Sequence, residues 1–97
     1  MKEYIKNRLS EREMLIEYVS KAKAVEVMQN QITKLEKNID ALDEDIEELE
    51  DAGLNRTVET LCKTRNSLNL ERLELEIHIC KLRLWIAEFE KARQLAR

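Results

Sequence analysis

The chain has 97 residues, of which 43% are hydrophobic and 38% are charged, with one glycine and no proline. This length fits one domain, and the composition is typical of long helices and coiled coils rather than of a disordered segment. The net charge of −3 gives no general attraction to nucleic acid or anionic membrane, and no apolar run is long enough for a membrane span or a signal peptide.

A helix start is visible near the N-terminus. Ser10 is followed three residues later by Glu13, the spacing of a capping box, and Leu9 and Met14 occupy the two positions of a hydrophobic staple. This pattern predicts that the first long helix, helix A, covers residues 11–52.

Helix A carries an apolar seam whose members alternate in steps of three and four residues, the pattern of a coiled coil. The seam consists of Val25, Met28, Ile32, Leu35, Ile39, Leu42, Ile46 and Leu49. Upstream we expect it to continue through Leu15, Tyr18 and Ala22. The steps from Ala22 through Val25 to Met28 are then both three residues long, which predicts a stammer that overwinds the coil locally.

The end of helix A is strongly acidic, because residues 40–51 contain eight acidic residues in twelve and no basic one. One hypothesis is a negative tip that binds a basic protein surface; the other is the solvated exterior that coiled coils usually have. Acidic side chains near a helix C-terminus oppose the helix dipole, which mildly favours a role other than stability. The acids lie on a helix without the glycine turn of a calcium loop. The candidate partner-binding residues here are Asp43, Glu44, Glu47 and Glu48.

Gly53 divides the chain almost in half. Glycine can adopt the left-handed conformation at the end of a helix, and Leu54 can pack back on the last turn, as in a Schellman motif. Asn55 or Thr57 can then cap a second helix. The sequence therefore predicts a turn at 53–55.

Helix B, predicted at 56–96, carries two apolar seams. The first is interrupted by Arg65 and Arg72, which either specify register or reach past the seam with their guanidinium groups. Its apolar members are Val58, Leu61, Leu68, Leu75, Ile79, Leu82, Ile86 and Phe89. The second seam, offset by two residues and hence by about 200° around the helix, is Leu70, Leu73, Ile77, Cys80 and Leu84. We interpret the strand-like alternation of 70–84 as a helix that is apolar on two opposite faces, and we expect both faces to be covered.

Two helices of matched length joined by a short turn predict an all-α antiparallel hairpin, one domain over 1–97, preceded by a short N-terminal helix at 2–9. Residues 14–28 are rich in apolar side chains and lie beside about 79–93, so the open end is apolar on more faces than two helices cover. We expect self-association, most simply as a homodimeric four-helix bundle; the alternative is a monomer whose N-terminal segment covers the open end. The expected oligomer interface comprises Leu15, Tyr18, Val19, Ala22, Leu70, Leu73, Ile77, Cys80 and Leu84.

Few residues of the chain could act as metal ligands, form a disulfide or take part in catalysis. Cys62 and Cys80 lie about 27 Å apart along one helix, too far for a disulfide within it, and we interpret them as reduced thiols of a cytoplasmic protein. His78 and Cys80 diverge on a helix, which argues against a zinc site or a catalytic Cys–His pair. Without a phosphate-binding or nucleophile motif, the sequence predicts no cofactor and no enzymatic activity.

Trp85 and Phe89 lie four residues apart and are expected to touch, with Lys81 over the Trp85 ring. They are either packing residues at the hairpin end or anchors for a partner. We predict a non-catalytic protein-interaction module, a small self-associating coiled-coil adaptor or regulator that binds another protein through the acidic tip or a groove beside Trp85. The alternative is an inhibitor, of the type that mobile elements encode, whose tip at 40–51 imitates nucleic acid.

Overall fold

The computed structural model describes residues 11–95 as two long antiparallel helices. Helix α1 spans Glu11–Asp51 and helix α2 spans Asn55–Leu95, each with 41 residues. They pack against each other along a rod with dimensions of 65 × 19 × 18 Å. The predicted all-α helical hairpin is confirmed, whereas the short helix predicted at 2–9 lies outside the described residues.

The turn between the helices is a Schellman motif, as its sequence predicts. The Gly53 N–H donates to the Glu50 carbonyl and the Leu54 N–H donates to the Leu49 carbonyl, both at 3.0 Å. Gly53 has a φ of +77°, a conformation that costs an L-residue roughly 1–2 kcal/mol. This turn closes α1 and returns the chain antiparallel within a few residues.

The start of α2 differs from the predicted cap. Helix α2 begins at Asn55, and the Val58 N–H donates to the Leu54 carbonyl at 3.1 Å. Leu54 therefore occupies the N-cap position, and its apolar side chain cannot accept a hydrogen bond from the backbone N–H groups of the first turn. The prediction that Asn55 or Thr57 provides the cap is wrong, because the Schellman turn brings the chain into α2 directly after Leu54.

The core is a single layer of side chains between the two helices. Its most buried members, each 4–8% exposed, are Ile32, Ile46, Ile79 and Phe89. From Met28 to Leu49 every member of the predicted α1 seam is buried or half-buried, which confirms the seam over this part of the helix.

The predicted stammer in α1 is wrong. Lys21 is half-buried and Ala22 is exposed, so the seam runs from Tyr18 through Lys21 to Val25 in regular steps of three and four. A lysine can occupy such a position because its aliphatic stem packs along apolar surface while its ammonium group reaches water. The heptad phase therefore continues without interruption.

Helix α2 places its first seam against α1 and its second seam on the opposite side. The first seam is buried or half-buried throughout, including Arg65 and Arg72, whereas all five members of the second are exposed. The strand-like alternation is helical, as predicted. The expectation that both apolar faces are covered is wrong for a single chain, because α1 is the only helix of residues 11–95 that packs on α2.

Candidate interaction surfaces

The most prominent apolar surface lies on the outer side of α2. We call it the outer stripe, and it consists of Leu70, Leu73, Ile77, Cys80 and Leu84. Its four aliphatic side chains are 45–66% exposed, and the Cys80 thiol is also exposed. The members alternate in steps of three and four residues, the same spacing as the seam that packs on α1. Such spacing is what a second helix buries.

The charges beside the outer stripe divide it into two halves. Glu74 and Glu76 flank its N-terminal half, and Lys81 and Arg83 flank its C-terminal half. All are exposed except Glu76, which is half-buried and accepts a hydrogen bond from Arg72 at 3.1 Å. The stripe therefore changes from acidic to basic along its length.

The exposed apolar residues of α1 lie on the other edge of the hairpin. Ile16, Val19 and Val27 are 45–63% exposed and occupy the side of α1 that faces away from α2, as their helical positions relative to the seam require. Leu15 is half-buried and Ala22 is exposed. The predicted oligomer interface is thus not one surface, because its α1 members and the outer stripe point in different directions.

Near the open end, aromatic side chains from both helices stack. The Tyr18 and Phe89 ring centroids are 4.9 Å apart, and the Trp85 and Phe89 centroids are 5.4 Å apart at an interplanar angle of 7°. The expected Trp85–Phe89 contact is present, but the cation over the Trp85 ring is Lys21, with its Nζ at 5.0 Å, and not Lys81. Lys21 reaches the ring because the seam brings α1 over that face of Trp85.

The Tyr18 hydroxyl links the two helices through an exposed hydrogen bond. It donates to Glu90 Oε1 at 2.8 Å. This hydrogen bond, the negative charge of Glu90 and a loss of hydration raise the pKa of Tyr18, and Arg93 opposes the shift weakly. The bond joins residues 72 positions apart, so it favours the observed stagger of the helices at this end.

These contacts assign the aromatic residues to the hairpin itself. Phe89, predicted as a partner-binding residue, is buried between the helices, which leaves its side chain almost no surface for a partner in this conformation. Tyr18, predicted at the oligomer interface, stacks on Phe89 within the hairpin. Trp85 is half-buried, and its remaining surface lies at the rim of the cluster.

The acidic tip is only partly available to a partner. Asp43 accepts a hydrogen bond from Arg65 of α2 at 3.1 Å, so one predicted binding residue is engaged within the hairpin. Glu44, Glu47 and Glu48 are exposed. With the exposed Asp40 and Asp51 they follow helical spacing and form a continuous carboxylate face. This face points away from α2.

A shallow open groove follows the junction of the two helices. It is lined by Gln29, Ile32, Thr33, Glu76, Ile79, Cys80 and Arg83. The groove lies next to one side of the outer stripe, so the apolar surface around Cys80 is wider than the stripe alone. It is centred more than one helical turn from Trp85, where the sequence predicts a groove.

Other kinds of site find little support in the described part of the chain. Between residues 11 and 95, His, Cys, Asp and Glu side chains form no group of three that could hold a metal ion. Neither α1 nor α2 is long and apolar enough to cross a membrane. Sequence reasoning missed Lys21, and the signal that could have found it is the uninterrupted step of four from Lys21 to Val25.

Comparison of the chain with protein-family models, with curated proteins and with solved structures finds no match. The surfaces of the hairpin are therefore the basis for inferring what the protein does.

Proposed function

We propose that this protein is a non-catalytic interaction module, a small coiled-coil adaptor or regulator that self-associates and binds another protein. The observation that carries the proposal is the outer stripe. It presents four large aliphatic side chains, each 45–66% exposed, at heptad spacing on one face of α2. Contiguous exposed apolar surface of this kind usually marks an association site.

The heptad spacing distinguishes the outer stripe from ordinary exposed apolar residues. Single exposed aliphatic side chains are common on monomeric proteins and need no explanation. Here they recur over four turns of one helix, at the period of the seam that already packs on α1. A helix that is apolar on two opposite faces is the expected composition of a helix with a neighbour on each side.

A matched pair of substitutions tests self-association. Leu73 and Val27 are both 45% exposed, but Leu73 belongs to the outer stripe and Val27 to the far edge of α1. We expect Leu73→Glu to produce a monomer and Val27→Glu to leave the oligomer intact, measured by sedimentation equilibrium at micromolar concentration. Circular dichroism of both variants checks that the hairpin remains helical. A wild-type chain that sediments at 11.5 kDa would refute the proposal.

We assign partner binding to the carboxylate face of the tip, which suits a basic protein surface. The face carries Glu44, Glu47 and Glu48, and residues 40–51 of α1 contain no basic residue. The same feature supports a second candidate function, an inhibitor that imitates nucleic-acid phosphates and occupies a nucleic-acid-binding site.

Competition separates these two candidate functions. Once a partner is captured through the wild-type chain, the triple variant Glu44→Gln/Glu47→Gln/Glu48→Gln should bind it at least several-fold more weakly. As a matched control, Glu36→Gln removes one exposed carboxylate of α1 outside the tip and should change little. A nucleic-acid mimic is displaced by DNA or RNA and weakens steeply with salt, whereas an adaptor retains its partner when DNA or RNA is added. Unchanged binding by the triple variant would exclude the tip from either function.

A further inference from the structure

We infer that the occupant of the outer stripe is the same stripe of a second copy, packed antiparallel, with Glu74 of each copy paired to Lys81 of the other. This inference deepens the proposed self-association and depends on it. It specifies the surface, the direction and the ion pairs of the dimer.

A second stripe fits because this surface has the geometry of one half of a coiled coil. Leu70, Ile77 and Leu84 occupy one core position of the heptad, and Leu73 and Cys80 occupy the other. In an antiparallel pair the two kinds of core position alternate across the interface. Ile77 then faces Cys80 of the second copy, Leu73 faces Leu84 of the second copy, and the two-fold axis passes between Ile77 and Cys80.

Self-pairing of the stripe also closes at two copies. A two-fold interface uses the same patch on both partners, and nothing remains to recruit a third copy. The alternative, the stripe of one copy against the α1 edge of the next, would leave a free stripe at one end of the assembly and a free α1 edge at the other, and would polymerise. That edge carries only Ile16, Val19 and Val27, with the exposed Lys23 among them, and lacks heptad spacing.

The charges beside the stripe favour the antiparallel direction. Parallel packing would place Glu74 beside Glu76 of the second copy and Lys81 beside Arg83, two residues apart along the axis, and would bring opposite charges together only five residues apart, as in Glu76 and Lys81. Antiparallel packing places Glu74 and Glu76 beside Lys81 and Arg83 of the second copy, two residues apart along the axis. Packed helix axes lie about 8–10 Å apart, a distance comparable to the screening length of about 8 Å at physiological salt, so this difference is felt in solution.

The antiparallel register specifies two kinds of ion pair. The flanking positions next to the core place Glu74 near Lys81 of the second copy, and Glu76 near Arg83 of the second copy. Each occurs twice by symmetry. The outer stripe lies on the side of α2 that faces away from α1. The four helices of the dimer therefore lie side by side in one layer, and not in the square of the four-helix bundle that the sequence predicts.

A charge exchange tests the inference. Glu74 and Lys81 are both exposed and lie seven residues apart, about 10 Å along α2, so their substitution leaves the hairpin fold intact. In antiparallel dimers, Glu74→Lys places lysine against lysine and Lys81→Glu places glutamate against glutamate. Each variant alone should dimerise roughly tenfold more weakly than wild type.

Mixing the two variants restores both pairs, because each lysine then faces a glutamate. We expect an equimolar mixture, with one variant isotopically labelled, to form heterodimers in clear excess over the statistical half of the dimers by native mass spectrometry. A parallel dimer pairs position 76 with position 81 instead, so it would give only the statistical share, and that result would overturn the antiparallel inference. A wild-type monomer would instead refute the proposed self-association itself.

Discussion

At the scale of single residues, Lys21 shows how a charged side chain serves in an apolar seam. Its Nζ lies 5.0 Å from the centroid of the Trp85 ring and 3.2 Å from Glu17 Oε1, and its side chain is 26% exposed. The stem fills a core position, while the ammonium group is held between a ring face and a carboxylate. A cation over a tryptophan ring contributes about 0.5–1 kcal/mol at an exposed site.

Substitution by glutamate should cost much more stability at Lys21 than at its neighbour Ala22. Lys21→Glu should lower the free energy of unfolding by about 1 kcal/mol, because it puts a carboxylate over the Trp85 ring and beside Glu17. Ala22→Glu, on the exposed face, should change it by less than about 0.5 kcal/mol. Urea denaturation of both variants in the Leu73→Glu background, in which self-association is removed, measures the hairpin alone. A larger loss for Ala22→Glu would restore the predicted stammer.

The Tyr18–Glu90 hydrogen bond gives the hairpin a defined response to alkaline pH. Glu90 raises the pKa of Tyr18 above its ordinary value, which is about 10 in the unfolded chain. The contribution of the bond to stability is therefore fully present below pH about 10 and is lost as the pH rises through the higher folded pKa. We expect the wild type to lose more stability than Tyr18→Phe across this range, because phenylalanine retains the stacking on Phe89 without a titrating hydroxyl.

Thermal unfolding of wild type and Tyr18→Phe between pH 8 and pH 11 measures this difference, and subtraction of the two curves removes the common effect of the lysines. Tyr4→Phe provides the control, because it removes the other tyrosine of the chain and leaves Tyr18 in place. Parallel pH curves for wild type and Tyr18→Phe would show that the hydrogen bond does not form in solution.

At the scale of the helices, a polar contact near the tip favours the observed register of the hairpin. Arg65 interrupts the first seam of α2 and donates to Asp43 of α1 at 3.1 Å, with side chains 31% and 49% exposed. Because both groups are substantially exposed, solvent screens the pair. Its value should lie near the middle of the range of about 0–1 kcal/mol for surface pairs.

A double-mutant cycle measures that contact. We expect Asp43→Ala and Arg65→Ala to show a coupling of about 0.5 kcal/mol in the free energy of unfolding. The same cycle on Glu59 and Lys63, whose side chains are more than 70% exposed and lie within one helix, should give a smaller coupling. Equal couplings for the two pairs would mean that the contact between the helices stabilises the hairpin no more than an ordinary ion pair within one helix.

The fold was predictable because each of its elements has a local cause. The α1 seam follows from steps of three and four residues, and the turn follows from Gly53, since only glycine adopts its positive φ without strain. The direction in which α2 presents its two seams was predictable as well. The first seam runs along most of the helix, from Val58 to Phe89, whereas the second covers only 70–84, so the longer seam is the one that a helix of matched length buries.

The candidate site was less predictable, because its contacts join the two helices and depend on how far one helix is displaced along the other. The sequence predicts Lys81 over the Trp85 ring because both lie on the same helix, whereas the residue found there, Lys21, belongs to the other helix. Phe89 is a residue type that often anchors an interface, but in the hairpin it is buried under Tyr18 of the other helix. The outer stripe itself was visible in the sequence as the second seam, because its spacing is a local property of α2.

At the scale of the whole molecule, the position of the outer stripe determines the shape of the assembly. One hairpin is a rod 65 Å long. The axis of the proposed dimer lies between Ile77 and Cys80, about 5 Å from the middle of Asn55–Leu95. Two copies related by this axis overlap almost completely and are displaced by only about 10 Å along the rod.

We therefore expect small-angle X-ray scattering to show a dimer whose longest dimension exceeds that of the monomeric Leu73→Glu variant by roughly 10 Å. The width of the particle should approximately double in one direction only, because the four helices lie in one layer. Packing of the hairpins end to end would instead nearly double the length of 65 Å. A particle with twice the mass and nearly twice the length would place the interface at the open end, and the outer stripe would then need another occupant.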